Sequence, residues 1–194
     1  MSFTTGTQAE LLYSLPVSIT KNTYTTIAAF TGVVGTNTVC SIPPGWLING
    51  NPNPIGRSLY LNVMGTIANT AAATFALNIN VNPTPGTSTN NLAINTAYTP
   101  LAATTTGWFV EAWFTCTAFT TSAFTLQANG RVRYENQASG GAVSTASQTS
   151  WFQGTFATSM DPRVQQYVEL FGTWSVSNSA NTTTVQQMFL WGLN

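Results

Sequence analysis

The chain has 194 residues, 5% of them charged, 43% hydrophobic and 12% aromatic, with five basic side chains balancing five acidic ones. Soluble domains carry about 25% charged residues, so Thr, Ser, Asn and Gln must wet this surface, while the apolar and aromatic content excludes a disordered chain. The absence of histidine closes Ser-His-Asp, Cys-His and imidazole-metal chemistry, and a net charge of 0 with no basic run excludes direct nucleic-acid binding by phosphate neutralisation.

The length fits a single domain over residues 1–194, with residues 1–20 as a short N-terminal arm or an extra strand. The start, MSFTTGTQAE, has neither a positive n-region nor an apolar h-region, and no run approaches the roughly 18 apolar residues that span a bilayer. A cytoplasmic product without a membrane anchor is expected. Thr, Val, Ile, Phe, Tyr and Trp recur in short runs broken by Gly, Pro, Asn and Ser, the pattern of a sandwich or barrel. Taken in order, the runs at residues 11–20, 24–30, 38–42, 58–67, 74–81, 108–118, 124–135, 151–157, 166–175 and 182–193 predict about ten strands and almost no helix. That is an all-β chain, an antiparallel β-sandwich of jelly-roll type.

Gly32 and Gly35 fit a hairpin and are too sparse for a phosphate loop. Cys40 and Cys116 lie in the apolar runs TNTVCSI and WFTCTAF, as small buried hydrophobes or as a disulfide pair. Residues 42–56 and 82–91, dense in Pro, Gly and Asn, are connections. Residues 90–107 and 138–150 read as exposed loops. Trp46, Trp151, Trp174 and Trp191 are core candidates, and the last residues, 188–194, read as a central strand.

The clearest strand alternates Phe124, Leu126, Ala128, Val132 and Tyr134 with Thr125, Gln127, Asn129, Arg131, Arg133 and Glu135. Before it, Trp108, Val110, Ala112, Phe114 and Cys116 alternate with Phe109, Glu111, Trp113, Thr115 and Thr117, so both faces carry aromatics. Pairing the two runs through their most apolar faces requires an odd number of residues in the connection, because a one-residue slip turns a whole face over. Phe109, Glu111, Trp113, Arg131 and Arg133 then share a face. Trp and Arg are favoured at buried contacts, and these five are the candidate subunit interface; a strand covered on both sides or a solvated charge pair gives the same pattern.

No catalytic, metal or cofactor site is expected. Two isolated cysteines cannot make a four-thiolate site, and Lys21, the only lysine, has no marked serine partner. The carboxylates are Glu10, Glu111, Glu135, Asp161 and Glu169, without calcium-loop spacing. Arg131 and Arg133 set Glu111 and Glu135 up for charge pairing rather than for the acid and nucleophile of a glycosidase. Asp161, in SMDPRV, reads as a turn or cap before Pro162.

The phrases RSLYLNVMGTIANTAAATFALNINV, GWFVEAWFTCTAF, FTLQANGRVRYE and YVELFGTWSVSNSANTTTVQQMFLWGLN, about three quarters of the chain with the spacers between them, resemble small tailed-phage virion structural proteins, the capsid decoration (cement) proteins with a jelly-roll, TNF/C1q-like trimer pattern. The resemblance implies a homotrimer on the outside of a phage head, bridging major capsid protein subunits, and the charge and hydropathy read above add that it binds no nucleic acid and no membrane. Two other functions fit the composition. One is a carbohydrate-binding spike or adhesin module, in which exposed aromatics stack on sugar rings; the other is a jelly-roll shell-forming capsid subunit, which usually needs a basic arm that this chain lacks.

Overall fold

The computed structural model describes residues 9–14, 19–22, 28–29, 40–48, 54–68, 73–86, 89–94, 98, 105–135, 148–156, 159–176, 178 and 181–193. They form antiparallel strands in two sheets. The seven-stranded sheet holds β1 (Ala9–Ser14), β12 (Thr182–Leu193), β5 (Ser58–Ala68), β8 (Thr105–Phe119), β9 (Phe124–Tyr134) and β10 (Gln148–Thr155) in that order, with β2 (Ile19–Asn22) also on β12. The five-stranded sheet runs β3 (Ala28–Ala29), β11 (Gln166–Trp174), β6 (Phe75–Asn82), β7 (Asn91–Ala93), with β4 (Ser41–Ile42) also on β11. The chain is an all-β sandwich.

Alternation decides which face of each strand is covered. Leu59, Leu61, Val63 and Ile67 of β5, Trp108, Val110, Ala112, Phe114 and Cys116 of β8, and Leu126, Ala128, Val132 and Tyr134 of β9 are buried in one cluster with Phe75, Leu77, Ile79 and Val81 of β6 and Val168, Leu170 and Trp174 of β11. Tyr98, bridged to Phe75, stacks on Tyr134 with ring centroids 3.9 Å apart, an aromatic contact between the two sheets. Cys40 and Cys116 are both buried free thiols.

Two bulges keep the apolar faces inward. Residues 120–123 between β8 and β9 are even in number, but a register shift between Cys116 and Ala118 adds one residue, so Cys116 faces Leu126 and Val110 faces Val132. The odd count demanded by the pattern is supplied by the bulge rather than by the turn. In β12 a shift between Val185 and Gln187 leaves Gln186 as the extra residue and allows both Val185 and Met188 to point inward. β12 lies between β5 on one side and β1 and β2 on the other, an interior position.

Several expectations change. The run at 11–20 divides into β1 and β2, each on its own half of β12; Pro16, which has no N–H to give a ladder, falls between them in sequence. Residues 90–107 hold a short strand, β7, and the buried Ile94 and Tyr98. Within 138–150, β10 already begins at Gln148. Gly32 and Gly35 lie outside the described residues, as do parts of the runs at 24–30 and 38–42 and the first residues of the proposed arm. Trp46 and Trp174 are buried, but Trp191 is only half-buried and Trp151 is 72% exposed. Trp151 and Phe152 are adjacent on a strand and cannot share a face; Phe152 packs on the core, which turns Trp151 outward.

The five-stranded sheet is covered on both faces where β6 meets β11. Glu169 of β11 lies opposite Asn80, and both are buried. The turn after β6 folds back over them, and the Gly86 N–H, at a φ of 77°, donates to both Glu169 carboxylate oxygens at 3.0 Å. Asn90 donates from its backbone N–H to the Asn80 side chain and from its side chain to the Val81 carbonyl. This stretch, read as a connection, is pinned to the sheet by amide and carboxylate groups.

Candidate subunit interface

The outer face of the seven-stranded sheet carries three cross-strand rows. The first runs Leu11, Trp191, Tyr60, Trp113, Asn129, Gln153. The second runs Phe189, Asn62, Glu111, Arg131, Trp151, and the third Gln187, Met64, Phe109, Arg133, Thr149. All five predicted interface residues, Phe109, Glu111, Trp113, Arg131 and Arg133, fall on this face, and the ladder places Glu111 opposite Arg131 and Phe109 opposite Arg133.

A polar chain threads the aromatics. Asn62 Nδ2 donates to the Tyr60 hydroxyl at 3.2 Å, Tyr60 donates to Glu111 Oε1 at 2.9 Å, and Arg131 Nε donates to Glu111 Oε2 at 2.6 Å. The Arg131 guanidinium carbon lies 5.8 Å from the ring centroids of both Phe109 and Trp151, within cation–π range. Tyr60 and Trp113 rings lie 5.0 Å apart at 40°. Partial burial, with the Glu111 carboxylate beside it, raises the Tyr60 phenol above its ordinary value and keeps it a donor despite the opposing bond from Asn62. Hydrogen-bonded networks of this kind hold side chains in one arrangement, so the aromatic groups are presented in fixed positions.

What remains open to water is unusually apolar for an exposed sheet face. Trp151 at 72%, Leu11 at 47% and Trp113 at 40% are among the most exposed large hydrophobic residues described. A shallow depression of about 390 Å³ lies between Trp113 and Trp151, with Asn129 and Gln153 in it. Large contiguous apolar patches mark contact surfaces. Arg beside Trp and Tyr matches the composition of contact hot spots.

Beyond the five predicted residues, the structure adds Tyr60, Trp151 and Trp191. Tyr60 and Trp191 were hidden because strand neighbours cannot be read from alternation alone. On the inner face of the sheet, one residue along from Trp191, Trp46 covers Gly192, and its Nε1–H donates to Glu10 at 3.3 Å. Arg57 lies 5.1 Å from that ring and donates to the Trp46 and Leu47 carbonyls, a fastening that belongs to the fold. Asp161 accepts from the backbone and guanidinium of Arg163, bonds that lower its carboxyl to about 2; it is a turn residue, as its sequence implies. No known protein family and no curated protein sequence matches the chain.

Proposed function

We propose that this chain is a virion structural protein of a tailed phage, a capsid decoration protein that assembles as a homotrimer through the outer face of its seven-stranded sheet and stabilises the head by bridging capsid subunits. It is made in the host cytoplasm and acts on the capsid surface, as a binding protein and not an enzyme. The observation that carries the reading is the ordered aromatic face, with Trp151 and Trp113 held by the Arg131–Glu111–Tyr60 network and open to water. A second copy or a capsid surface would cover it.

The strand order supports a jelly roll. With β3 and β4 taken as one strand and β2, β9 and β10 set aside as additions, the eight remaining strands number one, eight, three, six in one sheet and two, seven, four, five in the other. Two interleaved Greek keys produce that order. The sparse charge fits a shell contact of apolar and amide groups, whose strength varies little with salt.

Light scattering on the purified chain tests the assembly. A mass near three times 20.7 kDa is expected at low and high salt. Full burial of a large apolar side chain is worth about 1.5–3 kcal/mol, so Trp151→Ser should weaken association by roughly tenfold or more per contact while the chain stays folded, its unfolding midpoint moving only as far as the lost association carries it. A wild-type monomer overturns the interface. Antibody labelling of the phage that encodes the chain tests the location: gold on the outside of intact heads is expected, and heads without label refute decoration.

A further inference from the structure

At the end of the same sheet face, away from Trp113 and Trp151, the surface opens into a hollow of about 520 Å³. It exists because position 107, on the outer face of β8 between Thr66 and Glu135, is glycine. Met64 and Phe109 wall it on the apolar side, and Thr66, Arg133, Glu135 and Gln186 stand around it with polar groups. Gln186 is there because it is the extra residue of the β12 bulge, and bulges often re-aim a side chain beside a functional site.

We infer that this hollow is a binding site for a neutral sugar ring, a pyranose at the end of a glycan. Its volume lies within the roughly 300–1,000 Å³ of small-molecule sites. Among the described residues neither Arg133 nor Glu135 has an ion-pair partner, since the salt bridges there join Arg131 to Glu111 and Arg163 to Asp161. Both are exposed and line the hollow, so a ligand there meets their charges. A purely apolar ligand would strip water from these two charges without replacing its hydrogen bonds, which is costly. An anion would meet Glu135 and a cation would meet Arg133. A polyhydroxylated ring satisfies all the groups at once. Each hydroxyl both donates and accepts, so it can pair with the Arg133 donors, the Glu135 acceptors and the Gln186 amide, while the C–H face of the ring lies on Phe109. The site goes beyond the assembly reading and requires that the subunit contact close over Trp113 and Trp151 while leaving this end of the face open, since Phe109 and Arg133 border both.

The test is saturation-transfer NMR of the full chain with separate samples of D-glucose, D-galactose, N-acetyl-D-glucosamine, D-mannose and L-rhamnose. Transfer to at least one sugar is expected. Gly107→Val puts an isopropyl group on the floor of the hollow and displaces the Glu135 carboxylate, whose Oε2 a Cβ there would meet at 2.9 Å; the Glu135 side chain is flexible, so the variant should fold and keep its solution mass while losing the transfer. Glu135→Gln, which leaves the hollow open but removes its carboxylate, should weaken it. Trp151→Ser should leave it intact, which separates failure of this site from failure of the interface. Absence of transfer from all five sugars, or transfer that survives Gly107→Val, overturns the proposal.

Discussion

Gly192→Ala probes how the end of the sandwich is closed. A Cβ at Gly192 would lie 2.2 Å from Trp46 Cζ2 and 2.8 Å from Cε2, in the middle of a buried ring rather than at a flexible tip. The ring cannot simply swing away, because Arg57 lies against it and bonds the Trp46 and Leu47 carbonyls. Overpacking of this kind costs about 1–3 kcal/mol, and loosening the Arg57 contact adds about 0.5–1 kcal/mol, so a total of about 2–4 kcal/mol is expected. With a urea m-value of about 2 kcal/mol/M, the midpoint should fall by about 1–2 M. In a Trp46→Leu background the obstruction is gone, and the same substitution should cost under about 0.5 kcal/mol, a non-additivity typical of touching residues. Equal costs in the two backgrounds would refute the contact.

Burial raises the Glu169 carboxyl above its ordinary 4.5, against the lowering effect of the Gly86 and Asn80 hydrogen bonds. A raised folded value means the native state binds the proton more tightly than the unfolded chain, so this group favours folding at low pH and that contribution is lost as pH rises through the window between the two values. Glu169→Gln keeps an acceptor for Gly86 and removes the titration; its urea midpoint should lose that acid-side gain and exceed wild type at neutral pH, and superimposable pH profiles would count against the assignment. For the Arg131–Glu111 pair, with side chains 40% and 15% exposed, a double-mutant cycle of Arg131→Met and Glu111→Gln should give a coupling in fold stability under about 1 kcal/mol, since solvent screens it. A coupling above about 2 kcal/mol would make the pair part of the core and weaken its claim to be a docking surface.

The fold class was legible because most long strands keep strict alternation. Residues 124–135 and 108–118 were read with the correct face inward, and the terminal strand at 182–193 matches β12. What could not be read was where alternation breaks or stops mattering. The bulge at Gln186 changes parity within β12 without any Gly or Pro to mark it. β7 is three residues long, too short for a periodic signal, although Ile94 just after it is fully buried. Glu169 was treated as an ordinary carboxylate, since YVELF gives no hint that a turn more than eighty residues earlier folds over it; only the pairing of β11 with β6 brings Glu169 opposite Asn80 and under Gly86.

The candidate surface divides along the same line. Phe109, Glu111, Trp113, Arg131 and Arg133 came from two strands adjacent in sequence, where hairpin pairing makes neighbours nearly certain once the apolar faces are matched. Tyr60 and Trp191 join them only through β5 and β12, whose pairing depends on the path of the whole chain between the sheets. Trp151 was assigned to the core on residue type, yet Phe152 competes for the same interior, and on an edge strand one of two adjacent aromatics must face out. That competition explains the physics of the surface: β10 commits Phe152 to the sandwich, so the indole of Trp151 has no place inside the fold. It reaches its Arg131 neighbour on the outer face and is left 72% open to solvent. A chain with so few charges has little other means to keep such a group wetted, and covering it by another molecule removes the apolar area from water at no cost to the core.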